Sequence, residues 1–223
     1  MSRLFVVATP IGNLEDVSAR ARRVLSEVGA IAAEDTRITA RLLARHEIRK
    51  PMISYRAPVE RRGLPRVMAA LDEGDVALVS DAGTPTLSDP GAQLVNAAWA
   101  AGHTVVPIPG PSAIAAALSV AGHGGPGFTF VGYLPRKPGD MRRLLRTLVD
   151  DPRPAVAFES PYRVRKSLAL IEEVLPDRPV TLARELTKLH EQVLRGTASE
   201  VAAALGEKVR GEITLVIGGS TQA

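Results

Sequence analysis

Gly74-Asp-Val-Ala-Leu-Val-Ser-Asp-Ala-Gly-Thr-Pro-Thr-Leu-Ser-Asp-Pro-Gly91 is the stretch of sequence that decides the fold. Its residues 76–79 form a short continuous apolar run, the pattern of a strand that is covered on both faces. Pro85 and Pro90 lack a backbone donor and push the preceding residue toward extended geometry, so the chain stays open for about a dozen residues. Ligands of open parallel sheets bind beyond the carboxyl ends of strands, and Gly83 permits a close approach of backbone. The stretch therefore predicts a buried strand followed by a small-molecule pocket.

Four more strand-like segments end in polar or Pro/Gly-rich loops. They are residues 4–8 before 9–13, 104–108 before 109–112, 154–158 before 159–161, and 180–183 before 184–188. Helical periodicity alternates with these segments, at 17–28, 112–121, 144–149 and 164–175. The alternation predicts an α/β protein with largely parallel sheets and one crowded sheet edge. The glycine spacings of a dinucleotide fold and of a P-loop are both absent, so neither NAD nor a nucleoside triphosphate is favoured.

A glycine-rich cluster marks the expected domain boundary. Gly122-His-Gly-Gly-Pro-Gly127 follows the predicted helix that ends at Ala121 and precedes the strand-like segment from Phe128 to Val131. We therefore expect two α/β domains, residues 1–121 and 122–223, of usual size for such units.

Composition excludes several classes of protein. The chain of 223 residues is 45% hydrophobic, and it has no apolar run near the length of a membrane span. Strand-like sequence begins by Leu4, which leaves no room for a signal peptide, so we expect a cytoplasmic protein. With no cysteine and four histidines that lack ligand spacing, the sequence argues against thiol chemistry and against a metal site.

Positive charge is concentrated in two segments. Residues 37–66 carry nine basic side chains against two acidic ones, and residues 134–146 carry five against one. These local balances of +7 and +4 leave −7 for the remainder of a chain whose net charge is +4. Such a polarised surface suggests a polyanionic partner.

One row of arginines sharpens this interpretation. Arg37, Arg41, Arg45 and Arg49 recur every four residues on a segment that its apolar residues predict to be helical. Like charges at this spacing repel on a helix, and a solvated face normally mixes signs. We therefore favour phosphate binding over a merely solvated face. Aromatic residues make up only 4% of the chain, which argues against extensive base stacking.

Seven motifs in a fixed order resemble one known family. They are Thr9-Pro-Ile-Gly-Asn13, Ala33-Glu-Asp-Thr-Arg37, Leu78 to Pro85 with Ser88-Asp-Pro-Gly91, Pro107-Ile-Pro-Gly-Pro-Ser112, Gly132-Tyr-Leu-Pro-Arg-Lys137, Phe158-Glu-Ser-Pro-Tyr-Arg163 and Leu182-Ala-Arg-Glu-Leu-Thr-Lys188. From about residue 4 to Ile217, the chain resembles the ribosomal RNA small subunit methyltransferase I family of tetrapyrrole methylases.

The resemblance implies a tetrapyrrole-methylase-like fold of two α/β domains, with S-adenosylmethionine (SAM) in a cleft between them, and a homodimer. The implied activity is 2′-O-ribose methylation of a cytidine in the decoding region of 16S rRNA. The implied cofactor-binding positions are Pro10, Asp81, Gly83, Thr84, Pro85, Leu87, Ser112, Ala113 and Leu186.

One run departs from the family pattern. Family members usually carry an acidic run with His and Asn after the third strand, of which only Tyr55 and Glu60 match here. We therefore assign no catalytic role to the run Tyr55-Arg-Ala-Pro-Val-Glu60.

The difficult step of such a reaction is activation of the ribose hydroxyl, which must be positioned and relieved of its proton. Because the histidines lie outside the motifs, the candidates are Glu34, Asp35, Arg37 and Lys188. We expect a carboxylate of the first loop to orient or deprotonate the hydroxyl while Arg37 or Lys188 holds phosphate. The structural alternative for Asp35 is a helix N-cap.

For RNA contact, the basic segments provide Arg41, Arg45, Arg49, Arg136, Lys137, Arg142 and Arg143. Two rival functions remain open at this point: SAM-dependent methylation of a tetrapyrrole or a protein side chain on the same fold, and a non-catalytic RNA-binding module.

Overall fold

The computed structural model describes residues 1–57 and 60–220, except for the side chains of Glu60 and Arg61. Pro58 and Val59, which belong to the run that departs from the family pattern, lie outside the described residues. The chain divides into two compact units, Met1–Ser112 and Ala113–Ala223.

The first unit contains a five-stranded parallel sheet of order β3-β2-β4-β1-β5. Its strands are β1 (Arg3–Val7), β2 (Ala30–Ala33), β3 (Met52–Ser54), β4 (Val76–Val79) and β5 (Thr104–Ile108). Strand β4 is buried at every residue, as the continuous apolar run at 76–79 predicts, and β2 is buried at every residue as well.

Four α-helices cover the two faces of this sheet, after a 3-10 turn at Leu14–Asp16. They are α1 (Ala19–Glu27), α2 (Thr36–Arg45), α3 (Glu60–Glu73) and α4 (Ala92–Ala100). Apolar residues of α1 and α2 pack with one set of alternating strand residues, and those of α3 and α4 pack with the other set. Helix α1 begins where Ser18 accepts a hydrogen bond from the amide of Ala21.

The strand order places the expected ligand crevice at β2 and β4. The chain leaves β2 toward β3 at one edge of the sheet, and it leaves the adjacent β4 toward β5 at the other edge. In doubly wound sheets, the carboxyl ends of two such strands border the crevice where ligands bind. The loops that begin at Glu34 and at Ser80 therefore border this crevice.

Helix α2 ends earlier than the arginine row implies. Its last residue is Arg45, and Arg49 lies in the following loop, so only three of the four arginines are helical. The physical reason is a Schellman motif: Glu47 is left-handed at φ 57°, and the amide of Ile48 donates to Leu43 O at 2.9 Å. Ile48 and Leu43 also pack in the same apolar cluster.

The second unit contains a mixed sheet of order β6-β7-β10-β8-β9. Its strands are β6 (Thr129–Tyr133), β7 (Ala155–Glu159), β8 (Val180–Arg184), β9 (Gln192–Gly196) and β10 (Ile213–Ile217), and its helices are α5 (Ala113–Ala121), α6 (Pro138–Arg146), α7 (Val164–Val174) and α8 (Ala198–Ala204). The α/β prediction is confirmed, and the first sheet is fully parallel. In the second sheet, by contrast, only β6 and β7 pair in parallel. The link between β8 and β9 is too short for a parallel crossover, and β10 inserts antiparallel between β7 and β8.

Helix α5 packs with the second unit. Its buried residues Ile114, Ala117 and Ala121 contact Val156 and Val216 of the second sheet, and α6, α7 and α8 pack on the opposite face of that sheet. The division after Ser112 therefore lies one helix before the expected boundary at Gly122.

No helix in the described ranges is long and apolar enough to cross a membrane.

Candidate active site

The loops after β2 and β4 are joined by reciprocal hydrogen bonds. The amide of Asp35 donates to Asp81 Oδ1 at 2.9 Å, and the amide of Asp81 donates to Glu34 Oε2 at 3.2 Å. A pocket of about 560 Å³ opens at this junction. It is lined by Glu34, Asp35, Thr36, Arg37, Ser54, Arg56, Ala57 and Asp81. The structure thus brings four of the residues predicted as functional into one pocket, at the sheet position where a ligand is expected.

Three carboxyl groups of this region have raised pKa values. Burial is the largest cause for Glu34, Asp81 and Asp89 alike, because it disfavours the charged form. Neighbouring carboxylates add to the shift, although a backbone amide opposes it at Glu34 and Asp81, as the Ser80 hydroxyl does at Asp89. A raised pKa makes the carboxylate a stronger base, and such shifts are frequent at functional sites.

Asp35 is engaged differently from Glu34, which precedes it. Its side chain caps α2 by accepting from the amide of Arg37 at 2.8 Å, and it forms an ion pair with the Arg37 guanidinium at 2.6 Å. These contacts hold the pKa of Asp35 far below its usual range, with the Arg37 hydrogen bond as the largest cause. Asp35 is therefore a helix N-cap, the structural alternative to a catalytic role. Glu34 is better suited to act as a base. The Arg37 side chain remains 86% exposed and available to a ligand.

The loop after β4 is tied to the loop after β1. Thr9 and Gly83 exchange backbone hydrogen bonds of 2.9 and 3.0 Å, and the Thr9 hydroxyl donates to Ser80 O at 3.1 Å. The Thr84 hydroxyl donates to Pro111 O at 3.5 Å, while Pro10 and Pro85 are buried and Leu87 is exposed. The loops that follow the carboxyl ends of β1, β4 and β5 thus contact one another at the same end of the sheet, as the repeated strand-end loops predict.

Backbone strain is concentrated in the same loop. Thr86 and Ser88 have φ values of 74° and 67°, and Gly83 and Gly91 also lie at positive φ. Non-glycine residues are rare in this region and cost energy, and such strain clusters at ligand sites. The loop therefore has a conformation imposed by its surroundings.

Replacement of Gly91 by Ala is expected to destabilise the first unit by about 3 kcal/mol. Gly91 has φ 132°, and an added Cβ would lie 2.7 Å from Cδ2 of the buried Leu78. Thermal unfolding followed by the fluorescence of the single tryptophan, Trp99, measures the change. Gly74→Ala is the matched control, because a Cβ there meets nothing within 4 Å. Equal melting temperatures for the two variants would contradict the expectation.

Lys188 belongs to the second unit, in the loop after β8. Its Nζ contacts Glu185 Oε1 at 2.8 Å and Glu212 Oε2 at 2.9 Å. Burial works to lower the pKa of Lys188, but the two carboxylates prevail and raise it. The loop is strained at Glu185, with φ 51°, and a Cβ on the facing Gly211 would clash with the Glu185 side chain. Lys188 faces two carboxylates and is 28% exposed, whereas Arg37 faces one and is 86% exposed, so Arg37 is the more accessible of the two to a phosphate.

The other predicted cofactor positions are split between the units. Ser112 ends the first unit, and Ala113 begins α5 in the second. Leu186 is half-buried and packs against the apolar cluster that contains α5.

Not all of the predicted RNA-binding side chains are equally available. Arg41, Arg45, Arg49, Arg136 and Lys137 are exposed, and none of the ion pairs formed between described residues includes them. Arg142, in contrast, pairs with Glu173 at 2.7 Å, and Arg143 pairs with Asp140 at 3.3 Å.

Sequence reasoning missed two residues of the site. Asp89 lies in the strand-end loop without an expected role, and Arg56 lies in the run that departs from the family pattern. The signal for Asp89 was its place in an open loop with a second acidic residue, Asp81. Arg56 belongs to the basic segment 37–66, but its place beside the carboxylates depends on the pairing of β3 with β2, which is a tertiary feature. Among the residues that the structure describes, no three His, Cys, Asp or Glu side chains converge on a metal site.

Residues 3–202 match the family model described as Tetrapyrrole (Corrin/Porphyrin) Methylases. The chain belongs to this methylase family. One relative, ribosomal RNA small subunit methyltransferase I of Thermotoga maritima, is 45% identical over 98% of this chain and 99% of its own length. The enzyme of the same name from Neisseria meningitidis serogroup B is 46% identical over 96% of this chain and 75% of its own.

Solved structures of methylases share the fold. Uroporphyrin III C-methyltransferase from Thermus thermophilus has a TM-score of 0.70 at 18% identity, over 97% of both chains. The methyltransferase CobJ has a TM-score of 0.73 at 20% identity, over 99% of this chain and 95% of its own. The tetrapyrrole-methylase fold expected from the motifs is confirmed.

Proposed function

We propose that the protein transfers a methyl group from SAM to the 2′-hydroxyl of a cytidine in the decoding region of 16S rRNA. The observation that carries this proposal is the 45% identity, over nearly the full length of both chains, to a protein named as a small-subunit rRNA methyltransferase. The carboxylate pocket and the exposed arginines of the first unit agree with it. The solved structures named as a uroporphyrin III C-methyltransferase and as CobJ are 18% and 20% identical to this chain, so their likeness shows the fold alone and does not favour the tetrapyrrole rival.

The first unit offers hydrogen-bond acceptors and negative charge that fit SAM. SAM carries a positive sulfonium and hydroxyl and amino donors, and Asp81 with Asp89 offers carboxylates in a partly buried setting. Gly83, at φ 80°, fixes the turn of this loop beside the carboxylates by exchanging backbone hydrogen bonds with Thr9. We assign cofactor binding to Pro10, Asp81, Gly83, Thr84, Pro85 and Leu87, with Ser112, Ala113 and Leu186 as further positions. When bound, SAM supplies an electrophilic methyl group and a good leaving group.

Glu34 is the residue that we assign to the ribose hydroxyl. Its carboxylate accepts a hydrogen bond from the Asp81 amide through Oε2, which fixes its position and leaves Oε1 to accept from the substrate. The raised pKa of Glu34 suits a general base that removes the hydroxyl proton. The negative charge that develops on the ribose oxygen lies in the same pocket as Arg37 and Arg56.

Arg37 is the residue that we assign to a neighbouring phosphate. The Asp35 carboxylate holds one edge of its guanidinium through Nε and Nη2. The exposed remainder of the planar group is free to donate to phosphate oxygens. We further propose a homodimer, which sedimentation at micromolar concentration tests, and a cytoplasmic location, where ribosomal RNA is found.

The test is SAM carrying a labelled methyl group, incubated with small ribosomal subunits from cells that lack this protein. Label in 2′-O-methylcytidine, identified by mass spectrometry of rRNA nucleosides, is the expected result. RNA binding that saturates, with no SAM binding detected by calorimetry, would instead support the non-catalytic RNA-binding module. Label in protein with none in RNA would support the protein-methylating rival.

Replacement of Arg41 and Arg45 by Gln is expected to weaken RNA binding and to make its salt dependence shallower by about two units, one for each phosphate contact. Gln retains helix propensity, so α2 and SAM binding should be unchanged. RNA affinity over a salt series, with SAM affinity at one salt concentration, gives the measurement.

The matched control for this variant is Arg62→Gln with Arg66→Gln. This second pair of exposed arginines has the same spacing on α3, which packs on the opposite face of the first sheet. The control removes the same net charge and is expected to leave the salt slope unchanged. Equal slopes for both double variants would show that the row on α2 is only a solvated face.

A further inference from the structure

The second unit presents two exposed tyrosines near the carboxyl ends of two neighbouring strands. Tyr162 is 92% exposed and Tyr133 is 63% exposed, although the chain has only three tyrosines and one tryptophan. Tyr133 ends β6, and Tyr162 follows the carboxyl end of β7, the parallel neighbour of β6. Large aromatic side chains at the surface carry a cost in water, so a pair at one edge points to a ligand.

A buried ionic network fixes the backbone beneath these tyrosines. Glu159, which is 2% exposed, forms an ion pair with Arg163 at 2.5 Å and accepts a hydrogen bond from the Ser167 hydroxyl. Arg163 also donates to Leu134 O at 3.2 Å, so the loop after β6 is joined to the loop after β7. Tyr162 itself lies in a turn in which the amide of Arg163 donates to Ser160 O at 3.0 Å. The backbone that carries the two tyrosines is therefore held by contacts within the unit.

Aromatic stacking inside the unit supports Tyr133. Its ring lies 5.6 Å from that of Phe158, edge to face, and Phe158 lies 5.1 Å from Phe130 in the same way. These contacts orient the Tyr133 ring and leave most of its surface in solvent.

Positive charge lies beside the tyrosines. Arg136 and Lys137 follow Leu134 by two and three residues, and both are exposed. Within residues 1–57 and 60–220 neither forms an ion pair, whereas the nearby carboxylates of Glu159, Asp140 and Glu173 are each paired with an arginine. The edge thus combines aromatic faces with cations that lack a protein counter-charge.

We propose that Tyr133, Tyr162, Arg136 and Lys137, here called the tyrosine patch, bind a single-stranded segment of the RNA substrate. Tyr162 stacks on an unpaired base while Arg136 and Lys137 contact the flanking phosphates. Sequence-tolerant binding of single strands combines these two elements, aromatic platforms and a basic track. The occupant is RNA because the proposal rests on the proposed function. The low aromatic content of the chain argues against extensive base stacking, but two exposed tyrosines at neighbouring strand ends are enough for stacking at one place.

The test compares Tyr162→Ala with the parent on a short single-stranded oligocytidine and on an RNA duplex of equal length. Loss of the stacking face is expected to weaken single-strand binding about tenfold with an unchanged salt slope, and to leave duplex binding unchanged. Tyr162→Trp is expected to restore affinity. Trp99→Ala is the matched control, because Trp99 is an exposed aromatic, at 59%, on α4 of the first unit.

A second variant separates stacking from charge. Arg136→Gln with Lys137→Gln is expected to make the salt slope for single strands shallower by about 1.4 units. Methyl transfer by Tyr162→Ala is expected to show a raised KM for RNA with kcat retained. Single-strand affinity equal to the parent in Tyr162→Ala would overturn the proposal while methylation by the parent protein still upheld the proposed function. A change of oligomeric state in Tyr162→Ala would overturn it as well, by showing that a second copy of the chain covers the patch.

Discussion

Glu34→Gln is expected to lower the rate of methyl transfer by about 10²- to 10⁴-fold, the usual contribution of a general base. Gln has the same shape and still accepts from the Asp81 amide, so the loop pair should keep its geometry. Single-turnover transfer from labelled SAM to small subunits measures the effect. SAM affinity, measured by calorimetry, is expected to stay within about twofold of the parent, because the lost step is proton removal.

The pH dependence follows from the raised pKa of Glu34. The active form is the carboxylate, so the rate should rise with pH through this raised pKa and level off above it. In Glu34→Gln, this rise should disappear along with most of the rate. The free energy of unfolding of Glu34→Gln should not fall below that of the parent. A carboxyl whose pKa is raised by folding destabilises the native state once the pH exceeds its pKa in the unfolded chain, and Gln removes this effect.

Asp35→Asn is the control for the neighbouring carboxylate. Asn caps a helix as well as Asp does, but it carries no charge for the Arg37 guanidinium. We expect this variant to lose less than about tenfold in rate, through weaker positioning of Arg37. The opposite ranking of the two variants would assign the base to Asp35.

Glu159→Ala is expected to destabilise the second unit by about 2–4 kcal/mol, because it removes a fully buried carboxylate whose Arg163 partner is 27% exposed. The change leaves the Arg163 guanidinium, the Ser167 hydroxyl and the Ser160 amide without their shared acceptor. Hydrogen exchange measured on peptides from β7 and β10 reports the loss directly. Exchange in β1 and β4 of the first unit is expected to be unchanged, because each unit has its own core.

Glu173→Ala provides the exposed counterpart of this change. Glu173 also pairs with an arginine, Arg142, at 2.7 Å, but its side chain is 50% exposed. Exposed pairs contribute about 0–1 kcal/mol, so exchange in the second unit should barely change. Equal effects of the two substitutions would mean that the Glu159 network does not stabilise the unit.

Local patterns were sufficient for most of the secondary structure. The apolar run at 76–79 matches β4, and the periodicity at 164–175 matches α7. A strand that is buried on both faces is apolar at every residue, whereas a helix that buries one stripe is apolar at every third or fourth residue. The helix predicted at 144–149 instead runs from Pro138 to Arg146, with the proline at its first turn. The periodic residues Leu148 and Val149 lie beyond its end, and Leu148 is nonetheless buried.

Long-range pairing was beyond such patterns. Strand β10 is apolar and buried at every residue, yet nothing in its sequence states that it pairs antiparallel between β7 and β8. Helix α5 looks from its position in the chain like the last helix of the first domain, but its apolar residues pack on the second sheet. Both outcomes depend on which surfaces meet in three dimensions.

The sequence by itself determined the α/β class, the strand-end loops with their candidate residues, and the family through motifs in a fixed order. Only the tertiary structure decided which carboxylate is suited to act as the base. Glu34 and Asp35 are adjacent and chemically alike, but Glu34 is partly buried beside the Asp81 amide whereas Asp35 caps α2 and pairs with Arg37. The physical reason is that a pKa depends on burial and on neighbours from distant parts of the chain, which residue type and spacing do not specify.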